Sequence, residues 1–151
     1  MKILVIGASG LLGRSLMREL SKDNEVIGTY NTVPLNGLVK LDVSDSSLVE
    51  STLKKYGPDA VIHAAALVDV EGCENNKELA KKVNIEGTRN LAQSCRRLNI
   101  KLVFISTDYV FDGEKGPYNE MSNTGPVNFY GETKLQAEDI IKNTLENYII
   151  L

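Results

Sequence analysis

A tyrosine and a lysine four residues apart are the side chains in this sequence best suited to proton chemistry. They bound the stretch Tyr130-Gly-Glu-Thr-Lys134, and on a helix this spacing places both side chains on one face. A phenol with a pKa of about 10 is a poor proton donor or base at neutral pH. A neighbouring ammonium group favours the phenolate and therefore lowers that pKa. The pair is a candidate acid–base device, although the same spacing is common on exposed helix faces.

Three glycines near the start of the chain form a candidate phosphate site. Gly7, Gly10 and Gly13 follow the apolar run Ile3 to Ile6, and a helical pattern from Leu11 to Leu20 comes next. In such a strand–turn–helix unit the first glycine permits a tight turn and the second lets the backbone approach a pyrophosphate. The third lets the helix pack closely on the strand. Because the positive end of the helix faces the phosphate oxygens, the pattern predicts dinucleotide binding; a glycine-rich turn that binds nothing is the alternative.

Alternating strands and helices must position these groups. The apolar runs predict strands over residues 3–6, 25–29, 38–41, 60–63, 101–105 and 148–151. Helical periodicity predicts helices over residues 11–20, 44–56, 76–98 and 130–145, the second capped by Ser44 and ended by Gly57-Pro58. In the third helix the inward-facing residues are expected to be Leu79, Val83, Leu91 and Leu98.

This order of elements predicts an α/β fold. We expect a Rossmann-like, doubly wound parallel sheet with strand order 3-2-1-4-5-6, helices on both faces and right-handed crossovers. The ligand crevice of such a sheet lies where the strand order reverses, here beside strands one and four.

The end of the second predicted strand bears on the choice of cofactor. An acidic residue at this place usually binds the adenosine ribose 2′-OH, whereas this sequence has Thr29, Tyr30, Asn31 and Thr32. Arg14, directly after the third glycine, is placed to meet a 2′-phosphate or to serve as a solvated helix residue. The sequence therefore favours NADP(H), with NAD(H) as the alternative.

Composition excludes several classes of partner. The net charge of −3 and the absence of a long apolar run give no reason to expect a nucleic acid or a membrane as partner. No signal peptide is visible, and Cys73 and Cys95 lack metal-type spacing, so we expect a cytoplasmic protein. His63 is the only histidine and is expected to be a satisfied strand-end residue without a metal.

Several stretches together resemble the extended short-chain dehydrogenase/reductases. They are the glycine turn, Ser106-Thr-Asp-Tyr-Val-Phe-Asp-Gly113, Pro117-Tyr118 with Glu120, and the Tyr130–Lys134 pair. Within that family the chain is most similar to the dTDP-4-dehydrorhamnose reductases. The string that begins at Ser106 is the most specific part of the resemblance.

The resemblance implies a role for each candidate residue. Thr107 would hydrogen-bond the substrate carbonyl, Tyr130 would protonate it, and Lys134 would hold the nicotinamide ribose and tune Tyr130. Asp108 would lie beside the substrate. The remaining cofactor contacts would be Gly7, Gly10, Leu11, Leu12, Gly13 and Arg14 at the phosphates, Asp42 and Val43 at the adenine, and Ala64, Ala65, Ala66 and Leu67 along the cofactor.

The activity implied is reduction of a nucleotide-linked 4-keto-6-deoxysugar by NAD(P)H. One alternative is a non-catalytic, NADP-binding regulatory subunit similar to the β subunit of methionine adenosyltransferase. Another is a sugar-nucleotide epimerase or dehydratase; Asp108 fits a dehydratase, whereas the following Tyr109 to Gly113 run favours the reductase. A sugar nucleotide is the expected ligand, and a homodimer is left open.

The resemblance stops short at the carboxyl end. Members of the family continue well past the sixth strand, and that part builds the cover over the sugar nucleotide. We therefore expect residues 1–151 to form an NAD(P)-binding Rossmann domain without the carboxyl-terminal substrate domain. We also expect this length of chain to bind cofactor but to reduce a substrate poorly.

Overall fold

Six parallel strands form a single sheet in the computed structural model, which describes all 151 residues. Their order is β3-β2-β1-β4-β5-β6, and every neighbouring pair is parallel. The predicted strand order and fold class are confirmed. The strands are β1 (Lys2–Ile6), β2 (Glu25–Tyr30), β3 (Val39–Lys40), β4 (Ala60–His63), β5 (Lys101–Phe104) and β6 (Tyr148–Ile150).

Helices connect the strands and cover both faces of the sheet. They are α1 (Leu11–Leu20), α2 (Ser46–Tyr56), α3 (Val70–Asn75), α4 (Lys77–Ala80), α5 (Gly87–Leu98) and α6 (Phe129–Thr144). A π-helical segment (Lys81–Glu86) joins α4 to α5, and a short 3₁₀ turn (Asp108–Val110) follows β5. None of the helices combines the length and the apolar character that crossing a membrane requires.

The two faces of the sheet bury different side chains. On one face, Leu4, Val61 and Leu102 of the central strands pack in a core that α2, α5 and α6 complete. On the other face, a smaller cluster around Val5 and Ile62 packs against α1. Because the central strands are buried on both faces, they appear in the sequence as continuous apolar runs rather than alternating ones.

Two local expectations are wrong. Helix α2 is capped by Asp45, whose carboxylate accepts a hydrogen bond from the backbone N–H of Leu48 at 2.9 Å. Ser44, the predicted cap, instead donates its hydroxyl to the Asp42 carboxylate at 2.8 Å. Leu79 was expected to face inward but is 42% exposed, because the π-helical segment that follows shifts the register between α4 and α5.

The side chain of Asn84 accounts for the π-helical segment Lys81–Glu86. Its side chain is buried and accepts a hydrogen bond from the Leu67 N–H at 2.8 Å, while its amide donates to Leu67 O and Thr133 Oγ1, both at 3.0 Å. Thr133 in turn donates to the Tyr130 carbonyl at 2.7 Å. A single π-turn inside a helix is often found at functional sites, and here it aims one amide at the loop after β4 and at α6.

Candidate dinucleotide and catalytic site

The three glycines of the first turn are required for different reasons. Gly7 has a φ of +85°, and a Cβ there would lie 2.9 Å from the Ala65 backbone. At Gly13 a Cβ would lie 2.2 Å from the Gly7 carbonyl oxygen. A Cβ at Gly10 would meet only that same oxygen, at 3.4 Å. The fold itself therefore demands Gly7 and Gly13, whereas the space at Gly10 is open for a ligand.

A groove of about 370 Å³ opens beside this turn, where the strand order reverses between β1 and β4. Two thirds of its lining residues are apolar, which suits a flat aromatic group held by a few polar atoms. Seven predicted cofactor residues line it: Gly7, Gly10, Val43, Ala64, Ala65, Ala66 and Leu67. Leu79, misplaced in the core by periodicity, lines it as well.

The other predicted cofactor residues lie outside the groove lining. Leu11 is 91% exposed on the first turn of α1, and Leu12 next to it is also exposed. Arg14 is exposed, and its Nε donates to the Ser9 carbonyl at 3.0 Å. Gly13 is buried in the first turn of α1, where it packs against Gly7 and Ala8 of the turn after β1.

Asp42 faces its own loop rather than the groove. Burial raises the pKa of its carboxyl, but hydrogen bonds from Ser44 and the nearby Lys82 and Lys40 outweigh that effect and hold the pKa below its usual value. The carboxylate therefore fixes the chain that leads from β3 into α2, and through it the neighbouring Val43.

Lys40, which the sequence argument missed, is a charged residue that contacts two residues of the groove lining, Tyr30 and Asn31. Its Nζ donates to Asn31 Oδ1 at 2.8 Å and to the Asn31 carbonyl, and it lies 5.5 Å from the centre of the Tyr30 ring. The register pairs Tyr30 with Lys40 across β2 and β3. The sequence alone does not show that Lys40 lies beside Tyr30, because the two residues are ten positions apart and come together only through the pairing of β2 with β3.

Tyr130 lies in the first turn of α6, beside the Thr107 side chain. Asn128 caps this helix by accepting a hydrogen bond from the Gly131 N–H at 2.8 Å. A Cβ at Gly131 would lie 2.2 Å from the Tyr109 carbonyl oxygen, so the helix presses directly on the 3₁₀ turn. The Tyr109 and Tyr130 rings accordingly pack edge to face, with their centres 5.9 Å apart.

The charge state of Tyr130 differs from the expectation. Burial raises the pKa of its phenol above the ordinary value, while the neighbouring Thr107 side chain acts in the opposite direction. Lys134 does not lower this pKa. Its Nζ donates to the Ile105 carbonyl at 2.6 Å and lies 3.9 Å from the centre of the Phe104 ring. The predicted tuning of Tyr130 by Lys134 is thus not present in this arrangement of the chain.

Lys134 and His63 are both buried under the site. Burial lowers the pKa of Lys134 to about 8, and Glu138 opposes that shift. Burial also lowers the pKa of His63 to about 3, so its ring is neutral. The His63 Nε2 lies 3.2 Å from Thr88 Oγ1, but Nδ1 has no hydrogen-bond partner. The expectation of a satisfied histidine is therefore only half correct.

A second cavity, of about 660 Å³, lies beyond Thr107 at the carboxyl end of β5. Thr107 and Asp108, the two predicted substrate contacts, line this cavity, and so does Glu120 from the quoted motif. Its wall also includes Glu138, whose carboxylate accepts hydrogen bonds from Ser106 Oγ at 2.5 Å and Lys142 Nζ at 3.0 Å.

A family model described as the RmlD substrate binding domain matches residues 1–151. The chain belongs to this family. The resemblance to dTDP-4-dehydrorhamnose reductases is therefore confirmed at the level of the family. The chain spans about half the length of the curated relatives it matches.

Relatives of this RmlD-family chain include two kinds of protein. The dTDP-4-dehydrorhamnose reductase of Streptomyces griseus is 39% identical over 150 residues, covering 97% of this chain and 47% of the relative. The methionine adenosyltransferase 2 subunit beta of Bos taurus is 33% identical over 147 residues, covering 97% of this chain and 43% of the relative.

Solved structures agree with the fold. A hypothetical dTDP-4-dehydrorhamnose reductase from Sulfolobus tokodaii is 43% identical with a TM-score of 0.92, over 99% of this chain and 54% of that one. The dTDP-4-dehydrorhamnose reductase of Bacillus anthracis, solved in complex with NADP, is 32% identical with a TM-score of 0.90. That match covers 99% of this chain and 51% of that one.

Proposed function

We propose that this RmlD-family chain is the cofactor-binding part of a reductase that transfers hydride from NADP(H) to the ketone of a nucleotide-linked 4-keto-6-deoxysugar. The observation that carries the proposal is that Thr107, which lines the second cavity, lies beside Tyr130, one helical turn from a buried Lys134. The family membership and the NADP complex of the Bacillus anthracis relative support it. NAD(H) is the alternative cofactor.

The residues present fit a dinucleotide. The open space at Gly10 lies at the amino end of α1, where free backbone N–H groups attract phosphate. We assign Gly7, Gly10, Leu11, Leu12 and Gly13 to the pyrophosphate and Arg14 to the 2′-phosphate. Asp42 and Val43 belong to the adenine end, Ala64, Ala65, Ala66 and Leu67 to the groove wall, and Tyr130 and Lys134 to the nicotinamide ribose.

The chain's own groups then divide the chemistry. When bound, the reduced nicotinamide supplies the hydride. The Thr107 hydroxyl donates a hydrogen bond to the carbonyl oxygen, and the Tyr130 hydroxyl delivers the proton. The raised pKa of Tyr130 keeps it protonated at neutral pH, which is the state that a donor needs. Lys134, whose ammonium group donates to the Ile105 carbonyl at 2.6 Å, would hold the nicotinamide ribose.

We further propose that residues 1–151 are the NAD(P)-binding domain and that the part of the relatives' length beyond them provides the substrate domain. Asp108, exposed at the second cavity, would then contact the sugar nucleotide. The free thiols of Cys73 and Cys95 are both buried, which supports a reducing, cytoplasmic location. A homodimer stays a prediction.

A regulatory subunit is the second candidate function, because the β subunit of methionine adenosyltransferase matches 97% of this chain. The position of Lys134, held by Ile105 rather than directed at Tyr130, also fits a protein that binds cofactor without turnover. A sugar-nucleotide epimerase or dehydratase shares the same trio and is the third.

Substitution of Tyr130 separates these functions. In a form extended to the length of the relatives, Tyr130→Phe should lower the rate of NADPH oxidation by dTDP-4-dehydrorhamnose by about 100-fold or more, because only the proton donor is lost. Cofactor affinity should stay nearly unchanged. Tyr148→Phe, on the distant strand β6, is the matched control. Wild-type protein without turnover would refute the reductase, and so would an active Tyr130→Phe variant.

A further inference from the structure

Helix α6 contacts the end of β5 at regular intervals. Tyr130, Lys134 and Glu138 follow one another at four-residue spacing, so they lie on one face of the helix. Lys134 donates to the Ile105 carbonyl at 2.6 Å, and Glu138 accepts from the Ser106 hydroxyl at 2.5 Å. The next residue, Thr107, lies beside Tyr130. The three residues that follow β5 thus each contact one residue on the same face of α6.

Glu138 is unusual among these residues because it is a carboxylate that is only 8% exposed. One of its oxygens accepts from Ser106, and the other lies 3.0 Å from Lys142 Nζ. The Lys142 side chain is 47% exposed, so water screens that ion pair from one side. Removing a carboxylate from water costs free energy. Packing of the hydrophobic core does not explain why Glu138 is buried at the wall of the second cavity.

The charges around Lys134 point to a reason. Lys134 is 3% exposed, and the titratable groups near it are His63 on β4 and both Tyr130 and Glu138 on its own helix. His63 is neutral, and the raised pKa of Tyr130 keeps its phenol uncharged at neutral pH. Asp108 acts on Tyr130 from the 3₁₀ turn. Glu138 is the negatively charged group among them: it lies one turn along the same helix and bonds to Ser106, next to the Ile105 that holds Lys134, and it favours the charged form of the lysine.

We infer that Glu138 is a positioning residue for the reaction: it clamps Ser106 so that Thr107 faces Tyr130, and it supplies the buried negative charge that balances the Lys134 ammonium. This inference rests on the proposed function for its catalytic meaning. The clamp and the charge balance themselves are properties of the chain alone.

Titration of Lys134 tests the charge balance without cofactor or substrate. In protein labelled with ¹³C- and ¹⁵N-lysine, the Lys134 resonance is identified by its loss in Lys134→Met. Glu138→Gln keeps an oxygen that can accept from Ser106 but removes the charge, so the apparent titration midpoint of Lys134 should fall by about one pH unit. Asp139→Asn removes one charge from an exposed position of the same helix, and it should leave the midpoint unchanged. An unchanged midpoint in folded Glu138→Gln overturns the inference.

Nucleotide affinity tests the clamp. Ser106→Ala removes the hydrogen bond with little change in volume, which keeps the test available if Glu138→Gln fails to fold. Its affinity for NADPH should fall several-fold, whereas its affinity for 2′,5′-ADP, which lacks the nicotinamide ribose, should not change. A parallel loss for both nucleotides, or a loss for neither, overturns the clamp. If wild-type protein binds neither nucleotide, the proposed function fails, while the lysine titration still decides the charge balance.

Discussion

Substituting valine for Gly10 tests whether the open space at the glycine turn is the place of a pyrophosphate. Gly10 has a φ of −77° and is the amino-terminal cap of α1 without a side-chain cap bond. A Cβ there meets only one atom, at 3.4 Å. An L-residue therefore fits, and the change should cost about 1 kcal/mol of stability or less, the usual effect of a poor cap residue.

The effect of Gly10→Val on cofactor binding should be much larger. A hydrogen bond from a backbone N–H to a charged phosphate contributes about 1.5–3 kcal/mol. If the branched side chain moves the phosphates out of reach of two such groups, the loss is at least about 3 kcal/mol, which is roughly a 100-fold rise in Kd. Gly13→Ala should give the opposite pattern. Its Cβ would lie 2.2 Å from Gly7 O, so α1 has to retreat from β1 by about an ångström, at about 1–3 kcal/mol of stability.

Calorimetric titration with NADPH and urea unfolding measure the two effects on the same samples. Gly125→Val is the matched control, because a Cβ there makes only ordinary contact with Asp112, 3.6 Å away, and lies outside the groove. Folded Gly10→Val that binds NADPH as tightly as wild type would refute the assignment of the phosphate site. Gly13→Ala with wild-type stability would refute the packing argument at the same turn.

Three further predictions concern cofactor choice, acid stability and the core. Arg14→Ala and Lys40→Ala should each weaken NADPH binding by about tenfold, the effect of one lost phosphate contact, and leave NADH binding unchanged; equal losses for both nucleotides would contradict the preference for NADPH. His63 has a pKa of about 3 in the folded chain against 6.5 ordinarily, so the unfolded state binds the extra proton and stability should fall as the pH drops from about 6.5 towards 3. His63→Gln should lose that part of the slope in urea unfolding, and a difference from wild type that does not vary with pH would count against this assignment. Leu91→Ala, at a fully buried site, should lower the free energy of unfolding by about 2–5 kcal/mol, whereas Leu79→Ala should lower it by under about 0.5 kcal/mol. Similar losses for the two variants would show that Leu79 is a core residue.

The centre of the sheet was predictable because the central strands of a parallel sheet are buried on both faces. Leu4 and Val5 face opposite sides of β1, yet both are fully buried, so the apolar run is continuous and its boundaries are clear. The helices follow from periodicity and from turn residues such as Gly57, which has a positive φ at the end of α2. Strand order then follows from the handedness of the connections.

The incorrect predictions for Leu79 and Lys134 share a physical cause. The residue pattern along one helix or strand carries no information about the groups that a neighbouring element brings into contact with it. Leu79 has core periodicity but lies at the groove because Asn84 draws the next turn into a π-helix. The Tyr130–Lys134 spacing correctly predicted one face of α6. The lysine nevertheless bonds to Ile105, because that carbonyl is its available acceptor in a buried setting.

Asn84 also has a consequence for how substitutions at this site should be read. Its amide joins Leu67, which lines the nucleotide groove, to Thr133, which holds the Tyr130 carbonyl. The groove wall and Tyr130, the proposed proton donor, are thus connected through one side chain rather than being two independent regions. Only a side chain with both a donor and an acceptor satisfies all three contacts, so few residue types can replace asparagine at position 84. Any exchange there alters nucleotide affinity and proton delivery together, and kinetics alone would not tell the two apart.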